Sequence, residues 1–186
     1  MFLAIDFLRK PSLDIICKDE PVSEDPRRWV HVFVVNKGPK WMIKHTAVEC
    51  RGKVTYTKLS LLKTEISKGP FEAKWARVNP VQIQLDSEDK LVPIVDDRLI
   101  GEAKVEEIPP GVERALDIAV KFNGEKEAYV WTPESYYHRK NPDYVLDEGR
   151  YKVKVRIEYA GGTSSEKEFI LENFGDTASG LTLCKA

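Results

Sequence analysis

The chain has 186 residues, enough to bury roughly 70% of its unfolded surface without a disulfide or metal staple and too few for two comfortable domains. Its 29 Lys and Arg against 30 Asp and Glu leave a net charge of -1, which excludes a global electrostatic grip on nucleic acid, and no nucleic-acid partner is expected. No apolar run approaches the roughly 20 residues that span a bilayer.

Short runs with period-two apolar patterning, separated by Gly, Pro, Asn and Asp clusters, predict an all-β protein, and helical periodicity is hard to find. The first predicted strand is Leu13 to Cys17, followed by a proline-containing polar loop from Lys18 to Pro26. Trp29 to Val35 comes next, closed by Asn36, Lys37 and Gly38. Val30, Val32 and Val34 share one face and Trp29, His31, Phe33 and Val35 the other, so both faces are apolar. Such a strand in an antiparallel sandwich needs a cover on its outer side: an insertion, a terminus or a second subunit. His45 to Arg51 and Lys53 to Lys58 read as a hairpin about Gly52.

Leu59 to Arg98 reads as an insertion, in which Val81, Ile83 and Leu85 alternate against Gln82 and Gln84 as an internal strand. Glu102 to Ile108 is a further predicted strand, ended by Pro109, Pro110 and Gly111. Leu116, Ile118, Val120 and Phe122 then alternate against Asp117, Ala119 and Lys121 up to Asn123 and Gly124, and a long connection runs from Glu125 to Val145. With no internal repeat and no linker, a single elaborated domain over 1–186 is expected, with its insertion at about 59–98 and a long loop at about 125–145.

From Leu146 the pattern sharpens. Gly149 precedes Tyr151, Val153, Val155, Ile157 and Tyr159, which alternate with Lys152, Lys154, Arg156 and Glu158, one face buried and one wet. Gly161 and Gly162 then turn the chain into Ser165 to Leu171, where Glu166 and Glu168 are placed opposite the cations. A turn glycine two residues ahead of the tyrosine that opens a strand is the pattern of a tyrosine corner, whose hydroxyl should bond to backbone near Leu146 or Asp147. Together with Val35, Asn36 and Gly38, and with Ile108, Pro109, Pro110 and Gly111 leading to Leu116 and Ile118, these residues resemble the immunoglobulin-like and fibronectin type III superfamily. The pattern is most like its prokaryotic cell-adhesion-related (CARDB-like) modules, over roughly Trp29 to Leu171. The resemblance implies an immunoglobulin-like antiparallel β-sandwich, a fold that hosts adhesion, ligand binding and spacer roles alike.

Catalytic motifs are lacking. There is no GxSxG elbow, phosphate-cradling glycine loop or dinucleotide fingerprint; His31, His45 and His138 have no HExxH spacing, and Cys17, Cys50 and Cys184 are never two residues apart. His31 is expected to pack beside Trp29 and Phe33, and Asp86, Glu88, Asp89, Asp96 and Asp97 to form solvated loop rather than a calcium site. Glu106 and Glu107 cannot share a site on a regular strand, because adjacent residues face opposite ways. No enzyme activity, cofactor or metal is therefore expected.

The candidate binding residues are Trp131, Tyr136, Tyr137, His138 and Arg139, in a segment that also holds Tyr129, Lys140, Asn141 and Tyr144. Flat rings with polar tips suit a peptide, glycan or base, and equally suit packing back onto the sheet to anchor a long loop. The expected function is a non-catalytic interaction module that binds a protein partner or self-associates as a homo-oligomer, through the apolar face near Trp29 to Val35 or through the aromatic loop. The alternative is a carbohydrate-binding module that stacks a glycan on Trp131, Tyr136 and Tyr137. Three cysteines, an odd and sparse set, suit reduced thiols in the cytoplasm, and Met1 to Leu8 carries Asp6 and lacks a cleavage site. A membrane tether, and hence a soluble domain of a membrane-anchored protein, is expected only if a membrane segment precedes Met1.

Overall fold

The computed structural model describes residues 11–18, 22–24, 26–37, 45–59, 66–85, 87, 90–160, 162 and 164–186. The start at 1–8, Gly38, Asp86, Glu88, Asp89 and Gly161, on which some sequence expectations fall, lie outside the described residues. The strands are β1 (Leu13–Ile16), β2 (Val22–Glu24), β3 (Arg27–Asn36), β4 (Ala47–Lys58), β5 (Ile66–Glu72), β6 (Val81–Leu85), β7 (Leu91–Val95), β8 (Glu106–Ile108), β9 (Glu113–Phe122), β10 (Ala128–Val130), β11 (Val145–Leu146), β12 (Gly149–Glu158), β13 (Ser165–Asn173) and β14 (Leu181–Lys185). Among the described residues two short α-helices, α1 (Asp97–Glu102) and α2 (Ser135–His138), interrupt them. The fold is all-β.

Two antiparallel sheets are built from these strands. The first has the order β1-β3-β9-β10-β11 with β2 added beside β3; the second has the order β14-β13-β12-β4-β5 with β8 beside β4. Strands β6 and β7 form a separate hairpin. The inner faces meet in one core of Val30, Val32, Val34, Val54, Tyr56, Leu116, Ile118, Val153, Val155, Ile157, Phe169 and Leu171, with Trp75 wholly buried among them. Both polar ring atoms in this core are satisfied: the Tyr56 hydroxyl donates to the Ile118 carbonyl at 2.6 Å, and Trp75 Nε1 donates to the Cys50 carbonyl at 3.1 Å.

The expected corner is present. The Tyr151 hydroxyl donates to the Asp147 carbonyl at 3.0 Å, and Gly149 has φ 145°, a backbone conformation that side-chain-bearing residues rarely adopt. The wet face of β12 is zipped as expected to β13, with Lys154 on Glu166 at 2.8 Å and Lys152 on Glu168 at 3.9 Å. Exposed pairs of this kind contribute about 0.2–1 kcal/mol each.

Several sequence expectations are corrected. Gly52 is not a turn: β4 runs through it without a break, and a Cβ there would come within 2.6 Å of Leu116 Cδ2. The glycine permits close approach of the two sheets rather than a reversal of the chain. Glu102 to Val105 is not strand, since α1 occupies Asp97–Glu102, capped by Asp96, whose carboxylate accepts the Arg98 N–H at 2.9 Å. At six residues, α1 is too short to show a helical period. Glu106 is buried and Glu107 exposed, which keeps the two carboxylates apart as expected. The connection from Glu125 to Val145 carries β10, α2 and the start of β11.

Strand β9 departs most from simple alternation. A bulge against Val30 and His31 pairs Val30 with Ala119 and His31 with Asp117, so Ile118 is the extra residue. Leu116, Ile118 and Ala119 therefore belong to the main core, while Val120 joins a second buried cluster with Tyr129 and Trp131, to which Phe122 packs. One inserted residue moves the apolar stripe from the inner to the outer face. Lys121 is thereby fully buried, and its ammonium donates to Asn173 Oδ1 at 2.6 Å and to the carbonyls of Gly175 at 2.7 Å and Phe174 at 3.2 Å.

Candidate functional site

The outer face of the first sheet is where the structure gathers its chemistry. After β5 the chain crosses from the second sheet and runs alongside β9, with the Asp117 N–H donating to the Lys74 carbonyl at 2.8 Å and the Ala76 N–H to the Ala115 carbonyl at 2.9 Å. Alternation then sends Ala73 and Trp75 into the core and leaves Lys74 and Ala76 on the outer side. His31, Asp117 and Lys74 thus become cross-strand neighbours on β3, β9 and the crossing segment.

Their geometry is tight and buried. Asp117 Oδ1 lies 2.7 Å from His31 Nδ1, and Asp117 Oδ2 lies 2.9 Å from Lys74 Nζ. All three residues are buried, with Asp117 at 3% and Lys74 at 4% exposure. The Lys74 ammonium also donates to the Val78 carbonyl at 2.9 Å and to the Trp75 carbonyl at 3.2 Å, so each of its three N–H groups has an acceptor. The lysine side of this buried ion pair is thus fully satisfied, while Asp117 Oδ1 and His31 Nδ1 face each other without a hydrogen bond in good geometry.

Over this row stands an aromatic wall. Trp131 follows β10, and the turn after it is pinned by Ser135, whose hydroxyl donates to the Val130 carbonyl at 2.9 Å and accepts the Thr132 N–H at 2.9 Å. The Trp131 and Tyr136 rings meet edge to face at 5.1 Å. Trp29 packs against the same cluster, with the Arg27 guanidinium 4.7 Å from its ring centre. Buried Trp131 Nε1 reaches no acceptor in good geometry, although the indole sits close enough to Tyr136 to favour its ionised form. Burial still dominates and pushes the Tyr136 hydroxyl up to about 12.

Row and wall border a half-open cavity of about 570 Å3, lined by Arg27, Trp29, His31, Lys74, Ala76, Asn79, Val81, Asp117, Trp131 and Tyr136. That size falls within the roughly 300–1,000 Å3 of small-molecule sites, as does the make-up of mostly apolar walls with a few polar groups.

The sequence-derived candidates divide between two places. Trp131 and Tyr136 line the cavity and at the same time cover the outer sheet, Trp131 being 5% exposed. Tyr137 is exposed and donates to Asp97 Oδ1 at 2.5 Å, His138 is exposed, and Arg139 lies 4.0 Å over the Phe122 ring with Glu125 at 3.5 Å. These last three border a separate shallow depression with Lys140 and Asn141. Sequence reasoning placed Asp117 on a wet face and had no signal for Lys74 or Asn79, because their neighbours are supplied by distant strands. Trp29 and His31 were visible as an apolar outer stripe that needed a cover, and the segment from β10 to α2 is part of that cover.

Among the described residues no group of His, Cys, Asp and Glu is arranged to hold a metal ion, and no helix is long and apolar enough to cross a membrane. The architecture and cavity define a two-sheet β-sandwich with a covered outer pocket. The chain matches no protein-family model, and no curated protein matches it.

Proposed function

We propose that the chain is a non-catalytic binding module of the immunoglobulin-like and fibronectin type III group that captures a carbohydrate in the cavity beneath Trp131 and Tyr136. The observation that carries this reading is the conjunction of Trp29, Trp131 and Tyr136 with the buried row His31–Asp117–Lys74 around one small-molecule-sized space. Sugar rings present apolar C–H faces to aromatic walls and hydroxyls to fixed polar groups, which this lining offers together. The group assignment is supported by strand order: β1-β3-β9 in one sheet and β13-β12-β4 in the other follow the A-B-E and G-F-C arrangement, with the tyrosine corner opening β12.

Among the described residues the cavity lining includes no Ser, Thr or Cys nucleophile and one carboxylate, Asp117, which faces His31 and Lys74. Paired-carboxylate glycoside hydrolysis needs a second acid about 5–10 Å away, so capture suits the lining better than cleavage. A protein partner or second copy is less favoured, because of the two surfaces it was expected to use, the face at Trp29 and His31 lies beneath the other, the chain's own aromatic loop. Among the described residues the most exposed large apolar side chains, Ile66, Phe174 and Tyr137, sit on different elements. Cys17, Cys50 and Cys184 form no disulfide, which suits a reducing, cytoplasmic setting.

Titrating neutral and acidic oligosaccharides while following tryptophan emission tests the reading, since Trp29 and Trp131 both line the cavity. A saturable spectral shift is expected, weakened about tenfold or more in Trp29→Ala, or about 1.4 kcal/mol. Silence across the panel, both in emission and in calorimetry, overturns it.

A further inference from the structure

We infer that the glycan taken by this cavity is acidic, a hexuronate whose carboxylate is read by Arg27; the inference rests on the binding-module reading above. Charge accounting around the cavity carries it. The Asp117 carboxylate is matched by the Lys74 ammonium at 2.9 Å, and that ammonium has no N–H left for a ligand. Arg27 is the remaining strong cation on the lining, and among the described residues its guanidinium makes no ion pair and no hydrogen bond. Its placement 4.7 Å from the Trp29 ring centre draws on its charge and not on its N–H groups, so the donors that match a carboxylate fork remain available.

The rest of the lining selects a hydroxylated ring over a flat aromatic acid. Asn79 Oδ1 accepts the Val81 N–H at 3.1 Å, which leaves its NH2 as a donor on the rim. Asp117 is 3% exposed with its oxygens turned to His31 and Lys74, so the Asn79 amide is the group that meets a ligand hydroxyl. An aromatic carboxylate would stack on Trp131 and Tyr136 but offer no hydroxyl to the Asn79 amide. A hexuronate fits this lining, with its ring C–H face on the wall, a hydroxyl on the Asn79 amide and its carboxylate on Arg27.

Binding of glucuronate and galacturonate, of their methyl esters and of indole-3-acetate, measured by saturation-transfer NMR and calorimetry on the full chain, tests this. At least one free acid is expected to bind at least tenfold tighter than its ester. Arg27→Gln is expected to abolish the preference for the acid over its ester, with melting temperature unchanged. Acid and ester binding equally well overturns the acidic assignment and leaves the carbohydrate module standing. Tighter binding of indole-3-acetate than of either uronate overturns the hexuronate, and no binding of any sugar overturns both proposals.

Discussion

Tyr151 shows how much one side chain contributes and by which route. Its ring is 3% exposed and packs in the main core, while its hydroxyl reaches out to the Asp147 carbonyl. Burial is the largest influence on that hydroxyl and pushes it up to about 12. Tyr151→Phe removes only the hydrogen bond and should cost about 1 kcal/mol. Tyr151→Ala also empties the ring's volume and should cost about 3–5 kcal/mol by urea unfolding. Equal losses in the two variants would mean that the corner bond, not the ring, carries the effect. The corner was readable in sequence because glycine, tyrosine and alternating strand lie within a few residues. Gly52 was misread because the same residue type serves a turn and a close contact, and the contact partner, Leu116, is far along the chain.

Strand β9 is the element on which the site depends, and its bulge is what joins two cores. Without the extra residue at Ile118, strict alternation would turn Val120 and Phe122 inward and leave Trp131 without its apolar floor. The same strand carries Asp117, held between His31 on β3 and Lys74 on the crossing segment. Asp117→Asn leaves the Lys74 ammonium buried without its counter-charge and should cost about 3–5 kcal/mol in chemical denaturation. The double variant Lys74→Met with Asp117→Leu should recover most of that loss, since two apolar groups replace two charges. If the single variant is as stable as the parent, the pair is not buried as described. Periodicity identified β3, β9, β12 and β13, each long enough for alternation to show. It passed over β2, β10 and α1, which span three, three and six residues.

The whole molecule buries weak acids as neutral groups, and this sets its response to alkali. Cys50 is pushed up to about 12 by burial first and then by the neighbouring Glu106 and Glu107 carboxylates, while Tyr136 and Tyr151 rise to about 12 through burial. Tyr56 and Tyr129 are also raised, again chiefly by burial. Each folded value lies above the unfolded one, about 8.5 for a thiol and about 10 for a phenol, so the unfolded chain releases its protons first. The stability these groups contribute is therefore fully present below pH of about 8.5 and is lost as pH climbs towards 12. Urea midpoints measured from about pH 8 to 11.5 should fall steadily, and less steeply in Tyr151→Phe; a flat profile would contradict the burial of these groups.

Local order in the chain was enough to establish an all-β sandwich with its corner, the β12–β13 hairpin and the need for a cover over Trp29 and His31, because strand alternation and turn chemistry are written within a few neighbouring residues. The cavity was out of reach of such reading. Asp117, Lys74, Trp131 and Arg27 are separated by long stretches of chain and meet only when the crossing segment, the bulge in β9 and the loop from β10 to α2 are packed on one sheet. A carboxylate that looks solvated in its own strand becomes the buried centre of a site once its neighbours arrive from elsewhere.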